Sequence, residues 1–312
     1  MRTRFPKQAV GTTYLTEGGQ ETEIMYRFGF DLPEFAMYPL LDRPDAREAM
    51  RGMYERYLTV AAEHGLSVLM GGLDYRASAD WATKIGYSAD ALVDAQLRCI
   101  EFLHEVAEPF RGHIPVIRIS GIVGPRGDAY SLNRTITAEE AEQYHLQQLA
   151  TLARAGVDLV SALTFNSIAE AVGVARAAAR VDIPLCISFT LDSGTSRLKS
   201  GPSLREAIET TDRESGDARP DFYGVNCSHP QEFLPALEPG DWIERIRMLR
   251  PNASAKDKIS LCRIGHLEEG DPPELGRLMG ELSQRYPHID IWGGCCGTWE
   301  KHLSHIAANL RR

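Results

Sequence analysis

Residues 291–298 read Ile-Trp-Gly-Gly-Cys-Cys-Gly-Thr, a short apolar run that ends in glycines and reactive side chains. The β-branched and aromatic start predicts a buried β-strand, and the glycines predict the turn that ends it. Cys295 and Cys296 are adjacent, and a disulfide between neighbouring residues would close a strained ring. We therefore expect these two thiols to serve another purpose, at the carboxyl end of a strand.

The same arrangement, an apolar run followed by glycine or polar residues, recurs along the chain. It predicts eight strands, at residues 13–16, 66–70, 115–120, 157–162, 184–190, 222–226, 245–249 and 289–292, of which the seventh has the weakest pattern. Amphipathic helices are predicted between most of them, at residues 45–64, 89–108, 137–155, 167–180 and 272–285. The third of these begins with the Thr137 and Glu140 spacing of a capping box.

Eight strands that alternate with helices over 312 residues are typical of a single (β/α)8 TIM barrel. We expect one domain spanning residues 1–312, since no Pro-, Gly- or Ser-rich linker divides the chain. An open doubly wound sheet is the alternative, but no G-x-G-x-x-G motif follows the first strand. In a barrel, the carboxyl ends of all the strands converge on the face that carries the active site.

The overall composition limits the classes of partner. With 43% hydrophobic and 25% charged residues, the chain has the composition of a globular protein. Its net charge of −9 argues against nucleic acids and anionic membranes as partners, and it has no apolar run long enough to span a membrane. The first ten residues lack the apolar stretch of a signal peptide, so the six cysteines are expected in a reducing compartment, the cytoplasm.

Three cysteines follow predicted strands. Cys227 comes after the sixth strand, and Cys295 and Cys296 come after the eighth. At the top of one barrel they can converge, and three thiolates leave one position of a tetrahedral zinc open. The spacing alone leaves a second interpretation, that they are small buried packing residues. His229 is a candidate fourth ligand, although a solvent-facing loop histidine is the simpler interpretation. The other cysteines lie in apolar or helical surroundings and are interpreted as packing residues: Cys99, Cys186 and Cys262.

The two segments that contain Cys227, Cys295 and Cys296 resemble segments of a known family. Residues 224–228, Gly-Val-Asn-Cys-Ser, and residues 293–298, Gly-Gly-Cys-Cys-Gly-Thr, resemble the zinc-binding signature of the homocysteine S-methyltransferases, which include betaine-, S-methylmethionine- and cobalamin-dependent enzymes. Shorter segments that resemble the same family follow in matching order along nearly the whole chain: Glu17-Gly18-Gly19 with Glu21-Thr22-Glu23, Tyr75-Arg76-Ala77-Ser78, Gly121-Ile122-Val123-Gly124-Pro125, Ala155-Gly156-Val157-Asp158, Glu170-Ala171 and Pro251-Asn252-Ala253.

The resemblance implies a cofactor and a reaction. It implies a zinc ion held by Cys227, Cys295 and Cys296, with the acceptor thiol, homocysteine or a related thiol, bound as a thiolate in the open position. The thiolate would attack the methyl group of an onium donor of the S-methylmethionine, S-adenosylmethionine or betaine type, a reaction of methionine biosynthesis. The candidate substrate-binding residues are Glu17, Gly18, Gly19, Tyr75 and Asn226. Asn226 has a second interpretation, as a turn residue whose side chain hydrogen-bonds to nearby backbone groups.

The sequence departs from the family pattern at two positions. Glu17 stands where the family usually has aspartate, which keeps the charge and lengthens the side chain. At the end of the fourth strand the family typically has a glutamate that contacts the amino group of homocysteine, and Leu163 occupies the matching position. A leucine cannot pair with an ammonium group, and losing one partner of a buried charge pair typically costs several kcal/mol. We therefore expect an acceptor other than plain homocysteine, or one whose amino group is bound elsewhere.

The methyl donor is less clearly indicated. The chain has no D-x-H-x-x-G motif and no room for a cobalamin domain, so we expect no corrinoid within it. A cationic donor favours an aromatic cage, and the candidates by position are Tyr75, Trp81, Trp292 and Trp299, each with the simpler interpretation of a core or rim aromatic. Arg76 and Arg126 lie near predicted top loops, where they would meet either a substrate carboxylate or solvent.

Other functions fit the sequence less well. The alternative is a catalytically diverged zinc-binding barrel of the same family, which acts on a different small molecule or in binding or regulation. A metal-dependent hydrolase would have an H-x-H motif, and the sequence has none. A nicotinamide-linked reductase would have a phosphate-binding glycine pattern, and no such pattern stands out in the sequence. The expected partners are thus a small-molecule thiol and a methyl donor, and the oligomeric state is left open, a homo-oligomer included.

Overall fold

The computed structural model describes residues 3–9, 11–130, 136–256 and 265–311. Parallel strands form a closed barrel in chain order, and β8 pairs back with β1. The strands are β1 Tyr14–Leu15, β2 Ser67–Gly71, β3 Ile117–Val123, β4 Leu159–Phe165, β5 Leu185–Phe189, β6 Phe222–Asn226, β7 Ile246–Arg250 and β8 Ile291–Trp292. The predicted (β/α)8 barrel is therefore confirmed, and the open doubly wound sheet is excluded.

Helices alternate with the strands. Numbered in chain order, those described are α1 Gln20–Tyr26, α2 Pro44–Glu63, α3 Ala79–Lys84, α4 Ala89–Ala107, α5 Ala138–Ala155, α6 Ile168–Arg180, α7 Leu204–Ser215, α8 Pro230–Phe233, α9 Pro272–Arg285 and α10 Glu300–Asn309. At the start of α5 the predicted capping box is present: Glu140 N donates to Thr137 Oγ1 at 3.1 Å, and Thr137 N donates to Glu140 Oε2 at 2.9 Å. Within the described parts of the chain, every helix is too short or too polar to cross a lipid bilayer.

The hydrophobic core has two parts. A larger cluster packs the helices against the outside of the strands, and a smaller one fills the barrel interior. At the amino ends of the strands, the ring of Phe5 lies 5.5 Å from that of Phe222 and 6.0 Å from that of Tyr14. These aromatic rings close that end of the barrel. The space for a ligand therefore lies at the opposite end, where the strands finish.

Candidate active site

A cavity of about 320 Å³ lies at the carboxyl ends of the strands. Its wall consists of residues that end or follow β1, β2, β3, β4, β6, β7 and β8, together with residues 266–268. Parallel strands of a closed barrel finish on one face, which makes neighbours of residues that are far apart in sequence. The predicted metal ligands and substrate-binding residues all belong to this wall: Cys227, Cys295, Cys296, Glu17, Gly18, Gly19, Tyr75 and Asn226.

Three sulfur atoms converge in the cavity wall. The Sγ atoms of Cys227, Cys295 and Cys296 lie within 4.8 Å of one another. Those of Cys227 and Cys296 are 3.8 Å apart, and Cys227 is joined to Cys295 as a disulfide. The sequence analysis did not predict this disulfide. The adjacent pair, Cys295 and Cys296, is not bonded to each other, as expected.

The segment after β7 holds both cysteine loops in place. The carbonyl oxygen of Arg250 accepts a hydrogen bond from Cys227 N at 3.1 Å, and that of Pro251 accepts one from Cys295 N at 2.8 Å. A third backbone bond joins the same segment to the carbonyl oxygen of Cys296. One segment reaches all three cysteines because β7 lies between β6 and β8 in the barrel. Their positions are thus fixed by main-chain contacts.

Glycine at position 297 is required by the shape of the cysteine loop. Its φ is +81°, in the left-handed region that side chains rarely adopt, and a Cβ there would lie 2.4 Å from the backbone oxygen of Glu268. The loop after β1 approaches as closely, because a Cβ on Gly19 would lie 2.4 Å from the carbonyl oxygen of Cys295. Both glycines allow main chain to pack directly on main chain around the sulfur atoms.

Glu17 is paired with Arg250 in the cavity wall. The Glu17 Oε1 atom lies 2.7 Å from Arg250 Nη1, and the two side chains are only 3% and 6% exposed. The other carboxylate oxygen accepts from Gly71 N at 2.8 Å, and Arg250 Nε donates to the carbonyl oxygen of Gly294 at 3.1 Å. Because both charges have further hydrogen-bond partners, the pair joins β2, β7 and the cysteine loop. Arg250 was not predicted as a site residue, because no motif in the sequence marks it.

Asn226 and Tyr75 both contact Thr164, at the end of β4. Asn226 Oδ1 accepts a hydrogen bond from Thr164 N at 2.9 Å, and Asn226 Nδ2 lies 3.9 Å from Cys295 Sγ. The hydroxyl of Tyr75 forms a hydrogen bond with Thr164 Oγ1. Burial raises the pKa of Tyr75 to about 12, so the phenol keeps its proton at neutral pH. Asn226 therefore links β4 to the sulfur cluster.

Comparison with known proteins identifies the family. A family model described as homocysteine S-methyltransferase matches residues 14–310. The chain belongs to the homocysteine S-methyltransferase family. This confirms the resemblance seen in the sequence, and it makes the protein a methyltransferase.

Individual relatives agree with this assignment. The Zea mays protein named homocysteine S-methyltransferase 4 is 26% identical over 246 residues, which cover 73% of this chain and 68% of that protein. The oxidized form of the homocysteine methyltransferase MmuM from Escherichia coli matches with a TM-score of 0.74 at 19% identity over 95% of each chain. Its metallated form matches with a TM-score of 0.73 at 19% identity over 96% of each chain. The two structures share the barrel fold with this protein.

Leu163 leaves the end of β4 uncharged in this member of the homocysteine S-methyltransferase family. The side chain lines the cavity and is 6% exposed. The strand is irregular here, since its register with β5 shifts between Ala162 and Phe165 and Thr164 has a φ of +61°. The carboxylates that line the cavity among the described residues come from other segments: Glu17, Glu21, Asp128 and Glu268.

Three of the four aromatic residues proposed for a donor cage lie elsewhere. Trp292 is 1% exposed, as part of β8. The ring of Trp81 is covered by Arg76 at 4.1 Å, and that of Trp299 by Arg27 at 3.7 Å. For these three residues the interpretation as core or rim aromatics holds, because position in sequence does not show which way a ring points. The aromatic residues that line the cavity among those described are Tyr26, Phe35, Tyr75 and Tyr130.

The remaining candidates fall into place outside the sulfur cluster. His229 is buried rather than solvent-facing, and its Nδ1 accepts a hydrogen bond from Gln231 N at 3.3 Å at the start of α8. Burial lowers the pKa of His229, and its ring is not part of the three-sulfur group. Arg126 pairs with Asp80 at 3.1 Å. Cys99 and Cys186 are buried, as expected of packing residues, and Cys262 lies outside the described residues.

Proposed function

We propose that this protein is a zinc-dependent S-methyltransferase that moves a methyl group from an onium donor to a thiol, homocysteine or a related compound. The observation that carries the proposal is the convergence of the sulfur atoms of Cys227, Cys295 and Cys296 in the wall of one cavity. The methyl transfer is inferred from membership of the family. The sulfur cluster supports zinc as the cofactor.

The three sulfur atoms suit zinc in chemistry, and one pair of them also suits it in spacing. Thiolate ligands favour zinc over magnesium and calcium. Two thiolates bound to one tetrahedral zinc at about 2.3 Å lie about 3.8 Å apart, and the Sγ atoms of Cys227 and Cys296 have this separation of 3.8 Å. The disulfide between Cys227 and Cys295 withholds two of the ligands, so zinc binding requires its reduction to thiols. Three protein ligands leave the fourth position to the acceptor.

The residues of the chain align the two reactants. Bound zinc would hold the acceptor sulfur as a thiolate, whereas a free thiol with a pKa of about 8.5 is mostly protonated at neutral pH. Asn226 and the backbone after β7 fix the cysteines, and the apolar side chains of Leu163 and Ile122 keep water from the acceptor chain. The sulfur forms a bond to the methyl carbon as the donor's bond to that carbon breaks, and the donor leaves without its positive charge.

The cavity supports a cationic donor. Aromatic rings attract onium groups to their faces, and carboxylates attract them over a longer range. The wall offers both, in the rings of Tyr26, Phe35 and Tyr130 and in the carboxylates of Asp128 and Glu268. Sulfonium and ammonium donors both fit this description, so S-methylmethionine, S-adenosylmethionine and betaine are the donors to compare.

Two hypotheses describe the acceptor. Because Leu163 cannot pair with an ammonium group, either the acceptor thiol lacks an α-amino group or its amino group binds away from β4.

We propose further that residues 1–312 act as one barrel domain in methionine biosynthesis. A thiol substrate and three metal-binding thiols stay reduced in the cytoplasm, which is the proposed location.

A donor and acceptor screen tests the proposed function. Reduced, zinc-supplemented protein is incubated with each donor and with homocysteine or 4-sulfanylbutanoate, the same thiol without its α-amino group. We expect methylated thiol from at least one pair, and a loss of about a thousandfold or more in Cys296→Ala, because a zinc ligand is removed. The matched control is Cys99→Ala, which changes a buried cysteine of α4 that does not line the cavity and should stay active. Wild-type activity in Cys296→Ala would overturn the proposal.

A further inference from the structure

A carboxylate lies close to the place where Leu163 leaves none. Glu21 is in the first turn of α1 and lines the cavity. Tyr75 connects the two places, because its hydroxyl is bonded to Thr164, the neighbour of Leu163. Besides burial, the negative charge of Glu21 contributes to the raised pKa of Tyr75, and both side chains line the cavity. Glu21 thus lines the same cavity as the uncharged end of β4.

The carboxylate of Glu21 has no partner side chain. It interacts with its own backbone N–H, and among the described residues no side chain hydrogen-bonds to it or forms an ion pair with it. Burial raises the pKa of Glu21, while the hydrogen bond from its own backbone and the charges of Arg250 and Arg76 lower it. A partly buried carboxylate without a cation gains stability when a positively charged group binds beside it.

The other carboxylates of the cavity wall are already engaged. Glu17 pairs with Arg250 at 2.7 Å. Asp128 Oδ1 accepts a hydrogen bond from Tyr130 N at 2.7 Å. Glu268 pairs with Lys256 at 2.7 Å. Within the described segments, Glu21 is therefore the cavity carboxylate that has neither a paired cation nor a hydrogen bond from another residue.

Arg76 offers the opposite charge. Its side chain is 8% exposed, lines the cavity and donates from Nη1 to the carbonyl oxygen of Gly127 at 2.6 Å. Its Nε–H is buried without an acceptor, and in the described part of the chain no carboxylate pairs with the guanidinium. A buried guanidinium with an unsatisfied donor is costly, and a carboxylate ligand would satisfy it through two hydrogen bonds. The charge of Arg76 also lowers the pKa of Glu21, and both side chains line the cavity.

We propose that Glu21 and Arg76 bind the amino-acid end of the acceptor thiol, with Glu21 receiving the α-ammonium group and Arg76 the α-carboxylate. This assignment rests on the proposed thiol methyl transfer and selects the hypothesis in which the amino group binds away from β4. An α-amino acid carries its two charges on one carbon, which matches two opposite charges on neighbouring wall segments. Leu163 then packs against the methylene groups that lead to the sulfur.

Binding of the methylated product and its truncated forms tests the assignment without methyl transfer. Isothermal titration calorimetry on the reduced full chain compares L-methionine with 4-(methylthio)butanoate, which lacks the ammonium group, and 3-(methylthio)propylamine, which lacks the carboxylate. Wild type should bind L-methionine at least about tenfold more tightly than either, the usual worth of a hydrogen bond to a charged group. Glu21→Gln should lose about tenfold for L-methionine and nothing for 4-(methylthio)butanoate. Arg76→Gln should likewise lose about tenfold for L-methionine and nothing for 3-(methylthio)propylamine, which has no carboxylate to lose.

The matched control is Glu281→Gln, which removes an exposed carboxylate of α9 that pairs with Arg277 outside the cavity and should leave L-methionine binding unchanged. Equal weakening of all three ligands by Glu21→Gln would show a structural role and overturn the assignment. So would a wild type that binds L-methionine no more tightly than its truncated forms.

Kinetics separate this assignment from the proposed function. If zinc-loaded wild type methylates no thiol with any donor, the proposed function fails. If wild type methylates homocysteine and Glu21→Gln keeps its preference for homocysteine over 4-sulfanylbutanoate in kcat/KM, the function stands and the assignment of Glu21 fails. Loss of that preference in Glu21→Gln, with activity on 4-sulfanylbutanoate retained, supports both.

Discussion

The sulfur atoms of Cys227 and Cys296 lie 3.8 Å apart although 69 residues separate them in sequence. The barrel order produces this contact, because β6 and β8 flank β7 and the segment after β7 binds the loops that follow both. A site built in this way depends on the loop backbone and on the buried charges below it as much as on the thiols. The predictions that follow test each of these supports.

Removing Arg250 should destabilise the protein strongly. Arg250→Met leaves the carboxylate of Glu17 buried without its cation, which we expect to lower the free energy of unfolding by about 3–5 kcal/mol. The double variant Glu17→Gln with Arg250→Met should recover part of the loss, since no unpaired charge is left. Urea unfolding measures both. Arg277→Met, which breaks exposed ion pairs on α9, is the control and should change little. An Arg250→Met variant as stable as wild type would contradict the importance of the pair.

Glycine 297 should be irreplaceable in the cysteine loop. In Gly297→Ala, the new methyl group meets the backbone oxygen of Glu268 at 2.4 Å, and the left-handed φ of +81° disfavours any side chain. We expect a lower melting temperature and weaker zinc binding, measured by calorimetry and by competition with a chelator. Gly52→Ala in the interior of α2 is the control, where alanine should stabilise the protein by up to about 1 kcal/mol. Normal zinc binding by Gly297→Ala would be evidence against the described loop.

Asn226 should act through position rather than through substrate contact. Asn226→Ala leaves the buried N–H of Thr164 without its acceptor, which typically costs about 1–3 kcal/mol of stability. Because the same side chain lies 3.9 Å from Cys295 Sγ, zinc affinity should also fall. Thermal unfolding with and without zinc measures both effects. A variant with wild-type stability but a raised KM for the thiol would instead assign Asn226 to the substrate.

Asp74 should make the protein less stable as pH rises toward neutrality. Burial raises its pKa from the ordinary value of 3.8 to about 7, although the backbone N–H of Ile122 donates to its carboxylate. Between these values the folded protein holds a proton that the unfolded chain has released, so stability falls as pH increases through this window. Asp74→Asn, which cannot ionise, should show a flatter dependence of melting temperature on pH between about 4 and 7 than wild type. Identical slopes would show that Asp74 does not titrate in this range.

Much of the fold can be predicted from the sequence, because strand alternation and helix periodicity are local signals. The predicted sixth strand and the last predicted helix have the bounds of β6 and α9. The third strand was predicted to end at residue 120 because Gly121 resembles a turn, whereas β3 continues to Val123. Gly121 is needed for packing, since a Cβ there would lie 2.7 Å from the side chain of Leu152. A glycine imposed by a distant helix cannot be told from a turn glycine in one sequence.

The site shows the same limit. The cysteines could be placed together because the barrel fold dictates where strands end. The pair of Glu17 and Arg250, the burial of His229 and the directions of Trp81 and Trp299 depend on side-chain packing between segments that are remote in sequence. Helices α1 and α7 were not among the helices named from the sequence, and α1 carries Glu21. Its seven residues are too few for a helical pattern to stand out.

The zinc content of the purified protein tests directly whether the three cysteines form a metal site. Wild-type protein and the Cys227→Ala, Cys296→Ala and Cys99→Ala variants are reduced, dialysed against zinc and analysed by mass spectrometry of the metal. We expect about one zinc per chain in wild type and in Cys99→Ala. In Cys227→Ala and Cys296→Ala we expect much less bound zinc, since each substitution removes a thiolate ligand. Fully reduced wild-type protein that binds no zinc, or a Cys296→Ala variant that binds it as tightly as wild type, would contradict the account.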